Sequence, residues 1–223
     1  MKSKCVAFLV VALLFACAAG HLFAADSRLA LSAKAGTLGG GLEGIVNITP
    51  HFNVRAGANT FQYDYDGKES DINYDFDLEL LTFAGLVDWF PFDNGFRVTG
   101  GCMANENSLE LKATTAGTYD IGGVTYTSAE VGTLKGELDF NSLAPYLGIG
   151  YGNPFGTESN WSFNFDIGVM FQGSPDLSVT TDGTLAANAA FQANLAREKA
   201  DLEDELDEFE FYPVISFGVT YRF

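Results

Sequence analysis

Seven charged residues sit inside segments that are otherwise apolar or small: Arg28, Lys34, Glu43, Arg55, Arg97, Asp166 and Arg222. Charges removed from water must pair, because an isolated buried charge is costly. Such a set can therefore do one of two things. It can lock together as a structural plug of salt bridges, or it can form a gate whose pairs part to pass a small solute. Two acidic groups form a second candidate. Asp64, Asp66, Glu69 and Asp71 cluster within eight residues, and Asp201, Glu203, Asp204 and Glu205 lie in a stretch, 197–210, with eight acidic and two basic side chains. Asp64-Tyr65-Asp66-Gly67 has the look of a calcium loop without the full EF-hand spacing. These carboxylates read as solvated acidic loops, or as groups that divalent cations could bridge to lipopolysaccharide phosphates.

Catalysis is hard to assemble from the rest. His21 lies in the leader-like segment, which leaves His51, beside Pro50, where a solvated turn is the natural reading. Cys102 alternates with apolar neighbours and reads as packing in a wall rather than as a nucleophile. The residues form no zinc-ligand cluster. The sequence therefore predicts neither an enzyme, a metal site nor a cofactor. Removing Lys2 and Lys4 from the 12 basic residues leaves 10 against 29 acidic ones, a net −19. That balance disfavours nucleic-acid binding, which needs a basic footprint.

The elements that must hold these residues follow from periodicity. Lys2 and Lys4, the apolar run from Cys5 to Cys17, and the small residues up to Ala25 predict a secretory signal peptide over 1–25. An uncleaved anchor helix and a lipoprotein signal around Leu14-Phe15-Ala16-Cys17 are the alternatives. Past Ala25 no stretch is apolar enough for a membrane-spanning helix. Only Cys102 remains, so no internal disulfide can form. Alternation with a period of two then dominates. Trp161, Phe163, Phe165, Ile167, Val169 and Phe171 oppose Ser162, Asn164, Asp166, Gly168, Met170 and Gln172. Ile215, Phe217, Val219, Tyr221 and Phe223 oppose Ser216, Gly218, Thr220 and Arg222. Large apolar residues opposite polar ones suit a wall with lipid outside and polar groups inside.

The expected architecture is all-β: a closed antiparallel transmembrane β-barrel of about eight strands over 26–223, in the outer membrane. The strands are expected at 28–36, 40–48, 51–65, 71–90, 95–113, 136–152, 160–180 and 211–223, with a polar insertion from Thr114 to Lys135. The apolar face changes phase near Thr60-Phe61, Leu80-Leu81 and Asn141-Ser142, which predicts bulges there. With that phasing Asp75, Asp77 and Glu79 fall on the lumen face, above the other charges. An Ala-rich stretch without Gly or Pro predicts an acidic helix over about 184–209, in the last long outer loop.

The phrases PYLGIGYGNP (145–154), WSFNFDIGVMFQGSP (161–175) and YPVISFGVTYRF (212–223) resemble small outer-membrane barrels of the OmpA/OmpX-like group and, more loosely, CarO-like proteins. The resemblance implies that Tyr221 and Phe223 form the signal read by the barrel-assembly machinery. For the CarO-like group it implies passive uptake of small amino acids such as ornithine. The sequence thus points to a barrel among lipid and lipopolysaccharide. It acts either as a narrow pore for small solutes, with cationic amino acids as candidates, or as a structural or surface-interaction protein with a plugged lumen.

Overall fold

The computed structural model describes residues 28–69, 72–92, 94–115 and 117–223. The signal peptide expected over 1–25 lies outside the described residues, as do Asp71 and the side chain of Glu69. Thirteen strands form: β1 (Leu29–Gly36), β2 (Gly39–Thr49), β3 (Phe52–Glu69), β4 (Ile72–Trp89), β5 (Phe96–Asn105), β6 (Ser108–Thr115), β7 (Thr118–Ile121), β8 (Val124–Thr127), β9 (Leu134–Asp139), β10 (Leu143–Tyr151), β11 (Trp161–Phe171), β12 (Asp176–Thr181) and β13 (Phe211–Arg222). Among the described residues two α-helices join them, α1 (Ser128–Val131) and α2 (Ala189–Leu206), the second followed by a 3-10 turn at Asp207–Glu210.

Eight of the strands close on themselves in the order β1, β2, β3, β4, β5, β10, β11, β13 and back to β1. All eight pairings are antiparallel, and the seam joins Ala30 to Arg222 and Ala35 to Phe217. Closure satisfies every edge, which a sheet surrounded by lipid requires. Side chains alternate strictly between the two faces. Phe163 is 79% exposed whereas its neighbour Asn164 is 9% exposed, and Leu147, Ile149, Ile167 and Phe217 point outward with Phe163. An outer surface this apolar is stable only in a hydrocarbon solvent. The chain ends meet at one end of the barrel with the turn at 50–51 and the loops at 90–95 and 152–160. The opposite end carries the segments 116–133 and 182–210, so it is the outer end by the loop-length rule of bacterial barrels.

The expected bulges at 60–61 and 80–81 are not there. β3 and β4 pair without interruption from Phe52↔Trp89 to Glu69↔Ile72. What changes at those positions is the solvent. Below them the outward face meets lipid and the inward face is polar. Above them the outward face meets water and carries Gln62, Asp64 and Asp66 against Glu79, Asp77 and Asp75. The inward face turns apolar there, with Phe61, Tyr63 and Tyr65 against Leu80, Leu78 and Phe76. The same inversion separates Val98 and Ala104 from Glu110 and Lys112, and Leu143 and Leu147 from Glu137 and Asp139. Here the strands do break, at 106–107, 140–142 and 172–175, so the long strands expected over 95–113, 136–152 and 160–180 are each two. All of these transitions lie at one height and mark the outer edge of the membrane. The register shift that does occur lies at Asn47/Thr49, near the opposite end.

Above that edge the barrel opens into a five-stranded sheet, β3-β4-β6-β9-β12. The insertion at 114–135 folds as the β7–β8 hairpin followed by α1. Its Tyr119, Ile121 and Val131 pack with Phe191 and Leu195 of α2 into a second core, and the Tyr126 ring meets Phe191 edge-on at 5.0 Å. The helix starts at Ala189 rather than at 184 because the preceding backbone is used elsewhere. The N–H groups of Gly183, Thr184 and Leu185 bond the carbonyls of Val131, Ala129 and Glu130. Asn188 then caps the helix, its Oδ1 accepting from Ala190 N at 3.0 Å and Phe191 N at 3.1 Å.

Candidate functional site

An eight-stranded barrel has an interior just wide enough for side chains to fill it, so what lines it decides whether anything passes. Each strand contributes an inward residue at every second position, and at mid-height one of these is charged on β1, β2, β3, β4, β5 and β11. Arg55, on β3, is 2% exposed and lies among three carboxylates. Its Nη1 is 3.0 Å from Glu43 Oε1 on β2, its Nε 2.9 Å from Asp88 Oδ2 on β4, and its Nη2 3.3 Å from Asp166 Oδ1 on β11. Arg97, on β5, places Nη2 2.7 Å from Asp166 Oδ1 and Nε 3.6 Å from Asp88 Oδ1, and its Nη1 donates to the Gly152 carbonyl. Lys34 Nζ lies 2.8 Å from Glu43 Oε2. Thr99 Oγ1 donates to Asp88 Oδ1 at 2.7 Å and accepts from Arg55 Nη2 at 3.2 Å. Three cations thus meet three carboxylates, and the layer is electrically neutral.

Glycine makes room for this. A Cβ at Gly150 would stand 2.7 Å from Asp166 Oδ1 and 3.0 Å from Arg97 Nε. Gly148 and Gly168, paired across β10 and β11, leave the space in which the Tyr146 phenol lies, since a Cβ at either would come within 2.5 Å of its oxygen. Tyr146 belongs to an apolar layer on the outer side of the charges, with Leu38, Leu86, Met103, Met170 and Val214. On the inner side Asn164 Nδ2 donates to Ser32 Oγ at 2.9 Å and Thr220 Oγ1 at 2.7 Å. The cavity left between the charged and apolar layers is about 20 Å³, room for a single water.

The residues singled out from the sequence divide accordingly. Lys34, Glu43, Arg55, Arg97 and Asp166 come together. Arg28 and Arg222 do not join them: Arg28 is exposed at the chain-terminal end, and Arg222 donates outward to the carbonyls of Thr157 and Glu158 at 2.9 and 3.4 Å. Both precede or end the pairing seam, where water reaches the strand. Asp88 and Thr99 are members that the sequence reading missed. Asp75, Asp77 and Glu79 are not above the network in the lumen but on the outward face of the five-stranded sheet beyond the barrel. There Asp77 sits 3.6 Å from Lys112 Nζ and Glu79 accepts from Gln62 at 2.8 Å. Asp64 and Asp66 stand exposed on strand β3 rather than in a loop. Asp201, Glu203, Asp204 and Glu205 lie on α2; Glu203 accepts from the Leu177 N–H of the edge strand β12 at 3.2 Å. His51 is in its turn, with Nδ1 3.2 Å from the Phe90 carbonyl. Cys102 is exposed on the outer wall. Tyr221 stacks edge-on against Trp161 at 4.9 Å and Phe223 at 5.3 Å. Among the described residues no cluster has the make-up of a metal site.

No family model matches the chain, and no curated protein matches it. Solved structures do. The crystal structure of Acinetobacter baumannii CarO2 is 21% identical, with a TM-score of 0.59 over 87% of this chain and 98% of that one. The crystal structure of Acinetobacter baumannii CarO is 20% identical, with a TM-score of 0.53 over 87% and 97%. At such identities the likeness is one of architecture, and it agrees with the strand closure and the lipid-facing band: the chain is an eight-stranded, antiparallel β-barrel of the outer-membrane type, similar in fold to CarO2 and CarO.

Proposed function

We propose that this protein is an envelope barrel with a closed lumen, whose work is done by the sheet and helix module at its outer end. The observation that carries this reading is the balance of the lumen charges. A selective path needs charge in excess or pairs with room to part. Here three cations and three carboxylates pair in equal number within 3.6 Å, beneath an apolar layer that would strip the hydration from any ion. Parting such pairs without water costs several kcal/mol per ion. A pore for cationic amino acids draws its support from the acidic outer face, which would concentrate cations at the mouth, but that face does not continue into the lumen.

The test is solute flux. Barrels refolded into lipid vesicles are challenged with glycine, ornithine and arginine, and uptake is followed by vesicle swelling. Rates equal to those of protein-free vesicles support the closed barrel. Uptake above that background, saturable or not, sinks it and restores the pore.

A further inference from the structure

Between α2 and the inward face of β6, β9 and β12 lies a cavity of about 500 Å³, well inside the range of about 300–1,000 Å³ that holds a small organic ligand. Its walls are almost wholly apolar: Leu111, Leu138 and Leu177 from the sheet, Leu202, Leu206 and Phe209 from the helix side. A cavity this apolar and this large is not expected to be a store of ordered water, which needs polar partners. Four charged residues line it as well: Asp120, Glu198, Glu205 and one cation, Lys199, which is already held by Asp176 at 3.6 Å and Glu203 at 3.4 Å. One of them, Glu198, accepts from the Gly122 N–H at 2.9 Å. The lower wall joins the top of the barrel, where the Phe209 carbonyl accepts from Gln172 Nε2 at 2.9 Å. Next to it Phe211 and Phe171 pack edge-on at 5.7 Å on the lipid side.

We propose that this cavity is a binding site for a cationic amphiphile, with an alkyl or acyl chain between α2 and the sheet and a positively charged head at the carboxylates that line it. The proposal rests on the reading of a closed barrel that acts through its outer module. Three features select this class. Apolar walls select a chain. The carboxylates of Asp120, Glu198 and Glu205, against the single cation Lys199, repel an anionic head and attract a cationic one. The lower wall at Phe209 abuts the top of the barrel, the depth at which an amphiphile of the outer leaflet is concentrated.

Gly136 provides the decisive variant. It lines the cavity, and a Cβ there would meet nothing nearer than Leu177 Cδ1 at 3.9 Å. Gly136→Leu therefore grows into the empty space and leaves the strand undisturbed. The full-length protein in phospholipid nanodiscs is irradiated with a dodecyltrimethylammonium probe carrying a terminal diazirine, and labelled residues are read by mass spectrometry. Labelling of the strand segments 134–138 and 177–179 and of helix residues 195–209 is expressed relative to lipid-facing Leu147 and Phe163. The expected result is strong cavity labelling that falls about tenfold or more in Gly136→Leu, the scale on which a filled hydrophobic pocket discriminates. A dodecanoate probe should label the cavity about fivefold less, a preference that salt weakens. Cavity labelling unchanged by Gly136→Leu, or equal for the two probes, overturns the proposal. An unlabelled cavity in a protein that runs as a dimer would give the groove to a second copy and overturn it as well. Each of these outcomes is independent of solute flux, so the site can fail while the closed barrel stands, and the reverse.

Discussion

Arg55 holds three carboxylates together, so removing it leaves Glu43 and Asp88 each short of a partner inside a low-dielectric lumen. Arg55→Leu should cost about 3–5 kcal/mol, the usual penalty for breaking a buried ion pair from one side, measured by urea unfolding of the refolded barrel in lipid. An unchanged midpoint would mean that water reaches the network and that the lumen is wetter than its geometry. Ile167 faces lipid and pairs with Ile149 and Ile215 in the middle of its strand. Ile167→Arg should cost about 2–4 kcal/mol at that depth; a harmless substitution would place the residue outside the hydrocarbon. Most of this site could be read from the sequence because each strand flags its inward charges by alternation. Asp88, which the sequence reading missed, alternates with the lipid-facing Val87 and Trp89 and carries the same signal. Arg28 and Arg222 alternate just as Arg55 does. What separates them is height in the barrel, which periodicity does not encode.

The elements were legible wherever one solvent pair, lipid and lumen, governed a whole strand: β1, β2, β10, β11 and β13 show the alternation except where the apolar lumen layer puts Tyr146, Met170 and Val214 on the inward face. The longer strands cross from lipid into water, so the same face carries opposite chemistry along its length. Tyr74, Phe76 and Leu78 imitate a lipid face while pointing inward. The β7–β8 hairpin was hidden for another reason, because its two strands of four residues each are too short to show a period. This outer module has its own core, and its stability should be separable from that of the barrel. Phe191 is 1% exposed, and Phe191→Ala should cost the module about 3–5 kcal/mol. Hydrogen exchange should quicken over 119–131 and 189–206 and stay slow in β10 and β11. Equal loss of protection in all of them would show one cooperative unit. At the closing strand, Trp161, Tyr221 and Phe223 form a contiguous aromatic cluster on the outer wall. We propose that assembly depends on it. Deleting Phe223 should lower the heat-modifiable, folded form in the outer membrane and raise periplasmic degradation products, whereas wild-type levels would remove the C-terminal residue from the assembly signal.

For the molecule as a whole, charge is segregated by environment. The lumen layer is neutral, the lipid band is apolar, and the acidic excess is carried on the water-facing sheet and helix outside. A protein built this way presents carboxylates to the medium, not to a transmembrane path. Its lumen is crossed by an ion-pair layer and then by the side chains of Leu38, Leu86, Met103 and Tyr146, with a residual cavity of about 20 Å³ between them. Planar-bilayer recording on the refolded full-length barrel tests this most directly. The structure predicts no resolvable conductance in potassium chloride at either polarity, with heat-modifiability confirming an intact fold in the same preparation. Steady, discrete single-channel steps from that preparation would contradict it.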